Sequence, residues 1–342
     1  MINHKAMEAL FYETLKNKKV KCCLCPHECI IADGKLGICG VRENNNGKLI
    51  AAAYGKVSAL NVDPIEKKPL YHFFPGKQIL SVGGYGCNLA CTYCQNCSIS
   101  QVKNPHVLKE EITDINLLVK RAMTIVDNIG IAYTYNEPGI WFEYMLDIAK
   151  EAVHHNLKNV MVTNGYLNKE PLAEILPYMD AFNVDLKGFT PVFFKKYTKS
   201  TMEPVLNMLK TVKKSGKHLE ITHLVITNLN DHPGDFKAMI HWLGDNLGKD
   251  VPLHISRYFP NYNLTEKATD VDTLEKFYHI AKKRLDYVYL GNVQLPGTEN
   301  TICPKCGTLL IDRRGYQTNL VELTIDCKCS QCLEEIPVVL SR

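Results

Sequence analysis

The chain has 342 residues, 46% hydrophobic and 22% charged, with a formal net charge of +4. That length buries one large core or two modest ones with small modules attached, and the charge is too weak for an electrostatic nucleic-acid binder. No apolar run reaches the roughly 18 residues of a membrane span, and the start has no continuous apolar stretch of signal-peptide type. A cytoplasmic, reducing location is therefore expected. There, 14 cysteines in tight groups mean metal or iron–sulfur ligation sooner than disulfides. They cluster at 22–39, 87–97 and 303–332, and none lies between Cys97 and Cys303.

In chain order, Ala6, Leu10, Phe11 and Leu15 recur at helical spacing and predict a short amphipathic helix. A cysteine-rich module is expected over residues 1–75. Within it, Cys22, Cys25, Cys29 and Cys39 stand as C-x2-C-x3-C-x9-C, among turn-forming Pro26, Gly34, Gly37 and Gly40. Four thiolates suit either a structural zinc or an auxiliary iron–sulfur cluster, and the sequence leaves the choice open. Cys23 is an extra thiol, and His27 is as consistent with exposure as with ligation. The run Lys68–Gly76 reads as a packed linker, with His72 a satisfied, semi-buried histidine.

Residues 76–292 alternate strand and helix. Strands are expected at 78–82, 129–133, 159–163, 181–186, 218–226, 251–256 and 287–290, mostly apolar throughout, as buried parallel strands are. Helices are expected near 112–127, 140–155, 168–178, 203–215, 233–247 and 271–284. The fold class is thus α/β, a partial or complete TIM-like barrel of β/α units. Polar residues gather where its strands end: Asn136-Glu137, Thr163-Asn164, Asp185 to Lys187, Thr222 and His254 to Ser256. In such folds the C-terminal strand ends build the site. Residues 293–342 form a third module. Its two C-x2-C knuckles, Cys303/Cys306 and Cys329/Cys332, are 22 residues apart, the spacing of a zinc ribbon, so zinc is expected there rather than a third iron–sulfur site. Cys327 is left over.

The stretch Ile79 to Cys94 carries the most chemistry. An apolar strand runs through Gly83, Gly84 and Gly86 into Cys87, Cys91 and Cys94, spaced C-x3-C-x2-C. Three thiolates can hold three irons of a [4Fe-4S] cluster and leave the fourth free to chelate a small molecule. The amine and carboxylate of S-adenosylmethionine would serve. The competing reading is an ordinary zinc site completed by Cys97. Tyr93, placed to flank an adenine, and the polar strand ends downstream favour the cluster. Cys97 is then a bystander or a thiol behind the ligands.

At these residues the sequence resembles the radical S-adenosylmethionine (SAM) superfamily, whose loop has the C-x3-C-x-Tyr-C form. The resemblance narrows through Cys22 to Arg42, Thr134 to Pro138, Asn183 to Lys187, Leu253 to Pro260, Tyr289 to Asn292 and Glu299 to Pro304. Over nearly the whole chain it is similar to the AmmeMemoRadiSam-system radical SAM enzymes, relatives of pyruvate formate-lyase activating enzymes. The resemblance implies that Cys87, Cys91 and Cys94 ligate the cluster and that Tyr93 flanks the adenine. Tyr135, Asn136 and Glu137 would lie at the methionyl amino group. Thr163 and Asn164 would lie near the ribose and carboxylate, Asp185 and Lys187 at the carboxylate, and His254 near the ribose. These positions also have plainer readings: Asp185 and Lys187 could satisfy each other, Glu137 could serve as a helix N-terminal carboxylate, and Asn164-Gly165 could be only a turn. The resemblance also implies a flavodoxin or ferredoxin electron donor and work beside AMMECR-type and Memo-type proteins. Thr222 stands where some activases carry arginine, which counts against a glycyl-radical-enzyme activase. Beyond that rival stands a non-catalytic zinc-cluster interaction protein.

Overall fold

The computed structural model describes residues 7–102, 104, 105, 108 and 112–340; Ala6 lies outside them. Residues 7–15 are not helical. Phe11 takes a left-handed φ of 54°, and strand β1 (Tyr12–Thr14) follows. Asn17 and Lys18, also at positive φ, turn the chain back into β2 (Val20–Cys22), which pairs with β3 (Ile30–Ile31). The apolar spacing suits a helix, but the ladder with β2 takes up Tyr12–Thr14 instead. A hairpin of β4 (Arg42–Asn45) and β5 (Lys48–Ala51) completes the module. Its turn, Asn46-Gly47, has both φ values positive, as a two-residue hairpin loop requires.

The central sheet has eight strands in sequential order: β6 (Ala59–Pro64), β7 (Gln78–Gly83), β8 (Asn128–Tyr133), β9 (Lys158–Thr163), β10 (Ala181–Asp185), β11 (His218–Val225), β12 (Leu253–Arg257) and β13 (Val288–Gly291). From β7 to β13 all pairs are parallel, and these seven lie within two residues of the strands expected from sequence. The eighth, β6, was expected in the N-terminal module. It instead runs antiparallel along the outer edge of β7, Ala59 opposite Gly83 and Pro64 opposite Gln78. An edge position tolerates Pro64, which has no N–H to offer. β6 and β13 do not pair with each other, so the sheet is an open, partial barrel.

Among the described residues, eight α-helical segments lie between the strands: α1 (Cys97–Ser100), α2 (Ile115–Thr124), α3 (Phe142–His154), α4 (Lys169–Ile175), α5 (Pro191–Phe193), α6 (Glu203–Lys214), α7 (Pro233–Leu247) and α8 (Val271–Lys282). The longer ones, apart from the two single-turn segments, are those expected. Leu80, Val82, Ile131, Tyr133 and Met161 point into the same large core as the buried faces of these helices. The residues between them in sequence, Ile79, Ala132, Val160 and Ala181, face the other way and pack on Ile65, Leu70, Phe73 and Phe74. The segment 65–74 therefore fills the inner face near the N-terminal ends of the strands.

The last module, β14 (Thr301–Ile302), β15 (Leu309–Arg314) and β16 (Gln317–Leu320), closes the same end. Leu310 and Ile311 pack with Tyr71, Tyr287 and Tyr289. Arg313 lies 4.4 Å over the Tyr71 ring and donates to the Tyr71 carbonyl at 2.7 Å. His72 is wholly buried rather than semi-buried, with Nδ1 3.2 Å from the Pro337 carbonyl and Nε2 2.5 Å from the Tyr289 hydroxyl. With this floor closed, the C-terminal strand ends are left for a site.

Candidate active site

β7 delivers the chain into the three-cysteine loop through glycines that nothing larger could replace without displacement. A Cβ on Gly84 would sit 2.7 Å from the Trp141 ring, and one on Gly86 would sit 2.6 Å from the Cys39 carbonyl oxygen. The loop is thus wedged between the start of α3 and the N-terminal module. Its far side is pinned by backbone bonds, Ala90 N–H to the Thr198 carbonyl and Thr92 N–H to that of Tyr197. The Leu89 N–H donates to Cys87 Sγ at 3.3 Å. Burial pushes the Cys87 thiol well above its ordinary range and Cys91 up to about 11. Bound cationic metal reverses that preference and takes thiolates. Tyr93 is buried, its ring centroid 6.2 Å from Phe193, and among the described residues its hydroxyl has no partner.

The end of β9 meets this loop directly. Asn164 Nδ2 lies 3.7 Å from Cys87 Sγ and donates to Asn88 Oδ1 at 2.9 Å, while Asn164 Oδ1 accepts the Tyr166 N–H. Asn88 in turn donates to the Tyr166 carbonyl at 2.7 Å. Glu137 sits beside them, buried, with Oε1 accepting from Gly139 N–H and the Thr163 hydroxyl and Oε2 accepting from Asn164 N–H, each at 2.8 Å. It caps the turn before α3 and ties the end of β8 to the end of β9. Burial nonetheless pushes its carboxyl up to about 7.

The other strand-end residues divide. Asn136 braces the loop, accepting from Gly84 N–H at 3.2 Å and donating to the Gly86 carbonyl at 2.8 Å. Tyr135, at φ 71°, turns its side chain towards β6, where its hydroxyl donates to Asp63 at 2.6 Å. Its carbonyl is already held by Asn96 Nδ2 at 2.6 Å. Lys187 Nζ pairs with Asp185 Oδ2 at 3.0 Å. Burial works against the Lys187 charge, but Asp185 and the Cys91 thiol hold its pKa above the usual lysine range. Asp185, Thr222, His254 and Tyr289 are in register across four strands, one row on the inner face. The Thr222 hydroxyl is committed to Asn183 Oδ1, and His254 turns towards Glu220 rather than towards the cysteines. His223, one residue on, faces the helices, 5.8 Å from Phe236.

Sequence reasoning missed Asn88, Asp63 and Lys68. Asp63 accepts from Lys67 at 2.8 Å and from Lys68 and Tyr135 at 2.6 Å. Burial alone would raise the Asp63 carboxyl, but these donors hold it well below the carboxylate range. The available signal was the charged run Asp63 to Lys68, set between apolar segments of a chain otherwise free of such clusters there.

Among the described residues, one set of ligand-type side chains converges within 4.8 Å, Cys303, Cys306, Cys329 and Cys332. Its sulfurs lie 3.5 Å (Cys303 to Cys332) and 3.6 Å (Cys306 to Cys329) apart, near the edge of a tetrahedral zinc site. This quartet can hold a metal ion. The loop thiols do not all converge in this way. Three such thiols, glycines that keep the loop slim and a buried tyrosine hydroxyl without a hydrogen-bond partner among the described residues fit a multi-iron cluster with a ligand seated against it.

The radical SAM superfamily model matches residues 81–243, from the loop through α7. The uncharacterized protein MJ0808 of Methanocaldococcus jannaschii is 45% identical over 97% of this chain and 99% of its own. The pyruvate formate-lyase-activating enzyme of Clostridium pasteurianum is 24% identical over 56% of this chain and 82% of its own. Among solved structures, a radical SAM methyltransferase from Sphaerobacter thermophilus superposes with a TM-score of 0.52 at 14% identity, covering 69% of this chain and 71% of that one; it shares the fold. No helix among the described residues is long and apolar enough to cross a membrane. Membership carries with it a [4Fe-4S] cluster, S-adenosylmethionine and an enzymatic role, and it sets aside the reading of a non-catalytic zinc-cluster protein. On the superfamily match over the loop and the strands behind it, the chain belongs to the radical SAM superfamily.

Proposed function

We propose that this protein reductively cleaves S-adenosylmethionine and takes a hydrogen atom from a polypeptide or partner-bound substrate. When bound, the cluster and S-adenosylmethionine supply the one-electron cleavage that yields a 5′-deoxyadenosyl radical. The chain's own residues bind, orient and exclude water. Cys87, Cys91 and Cys94 hold three irons. Tyr93, buried beside Phe193, flanks the adenine. Glu137 and the Tyr135-Asn136 backbone lie on the methionyl amino side, Thr163 and Asn164 near the ribose and carboxylate. Lys187, kept charged by Asp185, faces the carboxylate, and His254, level with Asp185 and held by Glu220, stands on the ribose side.

The observation that carries this reading is the position of Asn164, its amide 3.7 Å from Cys87 Sγ and its N–H on Glu137. One residue thereby couples the cysteine loop to both neighbouring strand ends. The test is anaerobic reconstitution with iron and sulfide, then reductant and S-adenosylmethionine. 5′-Deoxyadenosine is expected from the wild type and not from Cys91→Ala; cleavage retained in that variant would overturn the assignment.

The wider reading includes a cytoplasmic location, a flavodoxin or ferredoxin donor, zinc in the Cys303 to Cys332 quartet, and AMMECR-type and Memo-type partners. A second reading, activation of a glycyl-radical enzyme, is favoured by relatives described as activating enzymes for pyruvate formate-lyase and 4-hydroxyphenylacetate decarboxylase. A glycyl radical seen by electron paramagnetic resonance on a candidate partner would select it.

A further inference from the structure

Cys22, Cys25, Cys29 and Cys39 line one recess, with Leu24, Ile31, Arg42 and Asn88 among its walls. A zinc ion bound by four thiolates would draw its ligands to within about 4 Å of one another. The same molecule provides the contrast. The C-terminal quartet has closed in this way, whereas these four thiols surround a space instead of meeting.

Arg42 supplies a second, independent observation. It is 1% exposed, with Nη1 on Glu143 at 3.0 Å and Nη2 on the Leu10 carbonyl at 2.5 Å. Its Nε–H has no partner among the described residues, and Arg42 is one of the walls of the recess. A thiolate-ligated iron–sulfur cluster accepts hydrogen bonds on its sulfides, so it would satisfy this spare donor.

We propose that this recess holds a second four-iron cluster, saturated by Cys22, Cys25, Cys29 and Cys39, that relays single electrons to the three-cysteine loop. With a cysteine on every iron it has no open position for a substrate, which leaves electron transfer as its chemistry. The recess shares a wall with the loop. Asn88, which lines it, follows Cys87, and its carbonyl lies 2.8 Å from His27 Nε2. Gly86 packs against the Cys39 carbonyl so closely that a Cβ there would be 2.6 Å away. A reduced, low-potential one-electron donor protein of the flavodoxin or ferredoxin class gives up one electron. The relay cluster is reduced by one electron and reoxidised as it passes that electron to the loop cluster, and no atom or proton moves. The relay role rests on the proposed radical chemistry; the cluster assignment does not.

The test compares full-length chains after anaerobic reconstitution: wild type, Cys25→Ala/Cys29→Ala, Cys91→Ala/Cys94→Ala, and Cys23→Ala as a control outside the recess. Iron, sulfide and zinc are counted, and reduced samples are examined by electron paramagnetic resonance with and without S-adenosylmethionine. The wild type and control are expected to hold about eight irons and eight sulfides, and each double variant about half of that. The signal left in the recess variant should respond to S-adenosylmethionine, and the signal left in the loop variant should not. Circular dichroism and retained C-terminal zinc establish folding, with Cys22→Ala as the milder variant if the double one fails. A recess variant that loses zinc, or loses no iron, overturns the cluster. A loop variant that loses no iron overturns the radical reading and leaves the recess assignment standing. For the relay, the recess variant should reduce its loop cluster slower by an order of magnitude with the protein donor but at the wild-type rate with dithionite; equal rates with both would remove the relay role.

Discussion

His254 Nε2 lies 2.6 Å from Glu220 Oε2, on a carboxylate that also accepts three other hydrogen bonds. Glu220 takes the N–H groups of Tyr71 at 3.0 Å and His72 at 2.7 Å, and His218 Nε2 at 2.9 Å. Burial alone would raise this carboxyl. The bonds from His218 and His254 outweigh burial and hold it well below the carboxylate range. The consequence is mechanical: one side chain on β11 fixes the segment 65–74 to the inner face of the sheet and sets the orientation of His254.

Glu220→Gln should therefore be costly despite its similar shape. An amide has one accepting oxygen, so two of the four donors would face an NH2 group. Breaking a buried, hydrogen-bonded charge pair costs about 3–5 kcal/mol. The expected outcome is a loss of that size in anaerobic denaturant unfolding, with weaker S-adenosylmethionine binding because His254 is released. A variant as stable as the wild type would show that the floor is held by apolar packing alone.

Acid should weaken the fold through two buried histidines. Burial pushes the His72 imidazole down to about 3 and that of His223 down to about 4. Both stay neutral in the folded state while the unfolded chain takes up protons below about pH 6.5. The unfolded state then binds more protons, so stability falls as the pH drops from about 6.5 towards these folded values. At pH 5 each group accounts for about 2 kcal/mol. Melting temperatures at pH 5.5 and 7.5 should differ less for His72→Gln than for the wild type. An equal difference would remove His72 from the account.

Much of this was legible in the sequence, for identifiable reasons. The seven parallel strands are apolar runs bounded by polar strand ends, and local composition decides them. The cysteine loop announces itself because its three cysteines fall within one short stretch. What the sequence did not disclose depends on contacts between distant segments. β6 looked like part of the first module because nothing local says that Ala59–Pro64 will pair with Gln78–Gly83. His254 could be placed at a strand end, but its commitment to Glu220 depends on segment 69–74 arriving beside it. The first turn failed for a local reason: apolar spacing outvoted Asn17 and Lys18, whose turn conformation ends any helix there.

The C-terminal quartet should bind zinc and not iron. Cys303 and Cys329 are buried, and the four sulfurs already stand at tetrahedral separations. Cys329→Ala is expected to lose about one zinc per chain with no loss of iron. Because Arg313 and Leu310 bind this module to Tyr71 and Tyr289, its loss should also lower the melting temperature. Iron lost along with the zinc would mean that the quartet is not a separate zinc site.

Gly86 is where the two cysteine groups touch, and a single methyl group tests whether that contact matters. Its φ of 83° is one that residues with a Cβ rarely adopt, and the added carbon would lie 2.6 Å from the Cys39 carbonyl, a backbone atom that cannot rotate away. Gly216, just past α6, has a similar φ of 74° but nothing within 4 Å of the same position. Gly216→Ala thus reports the backbone penalty alone, about 1 kcal/mol, and Gly86→Ala reports that penalty plus the collision. The expected result is a clearly larger loss of stability for Gly86→Ala, accompanied by altered electron paramagnetic resonance of the loop cluster, since Cys87 must move with it. If the two alanine variants behave alike, the loop does not depend on its seat against the N-terminal module, and the shared wall between them is incidental.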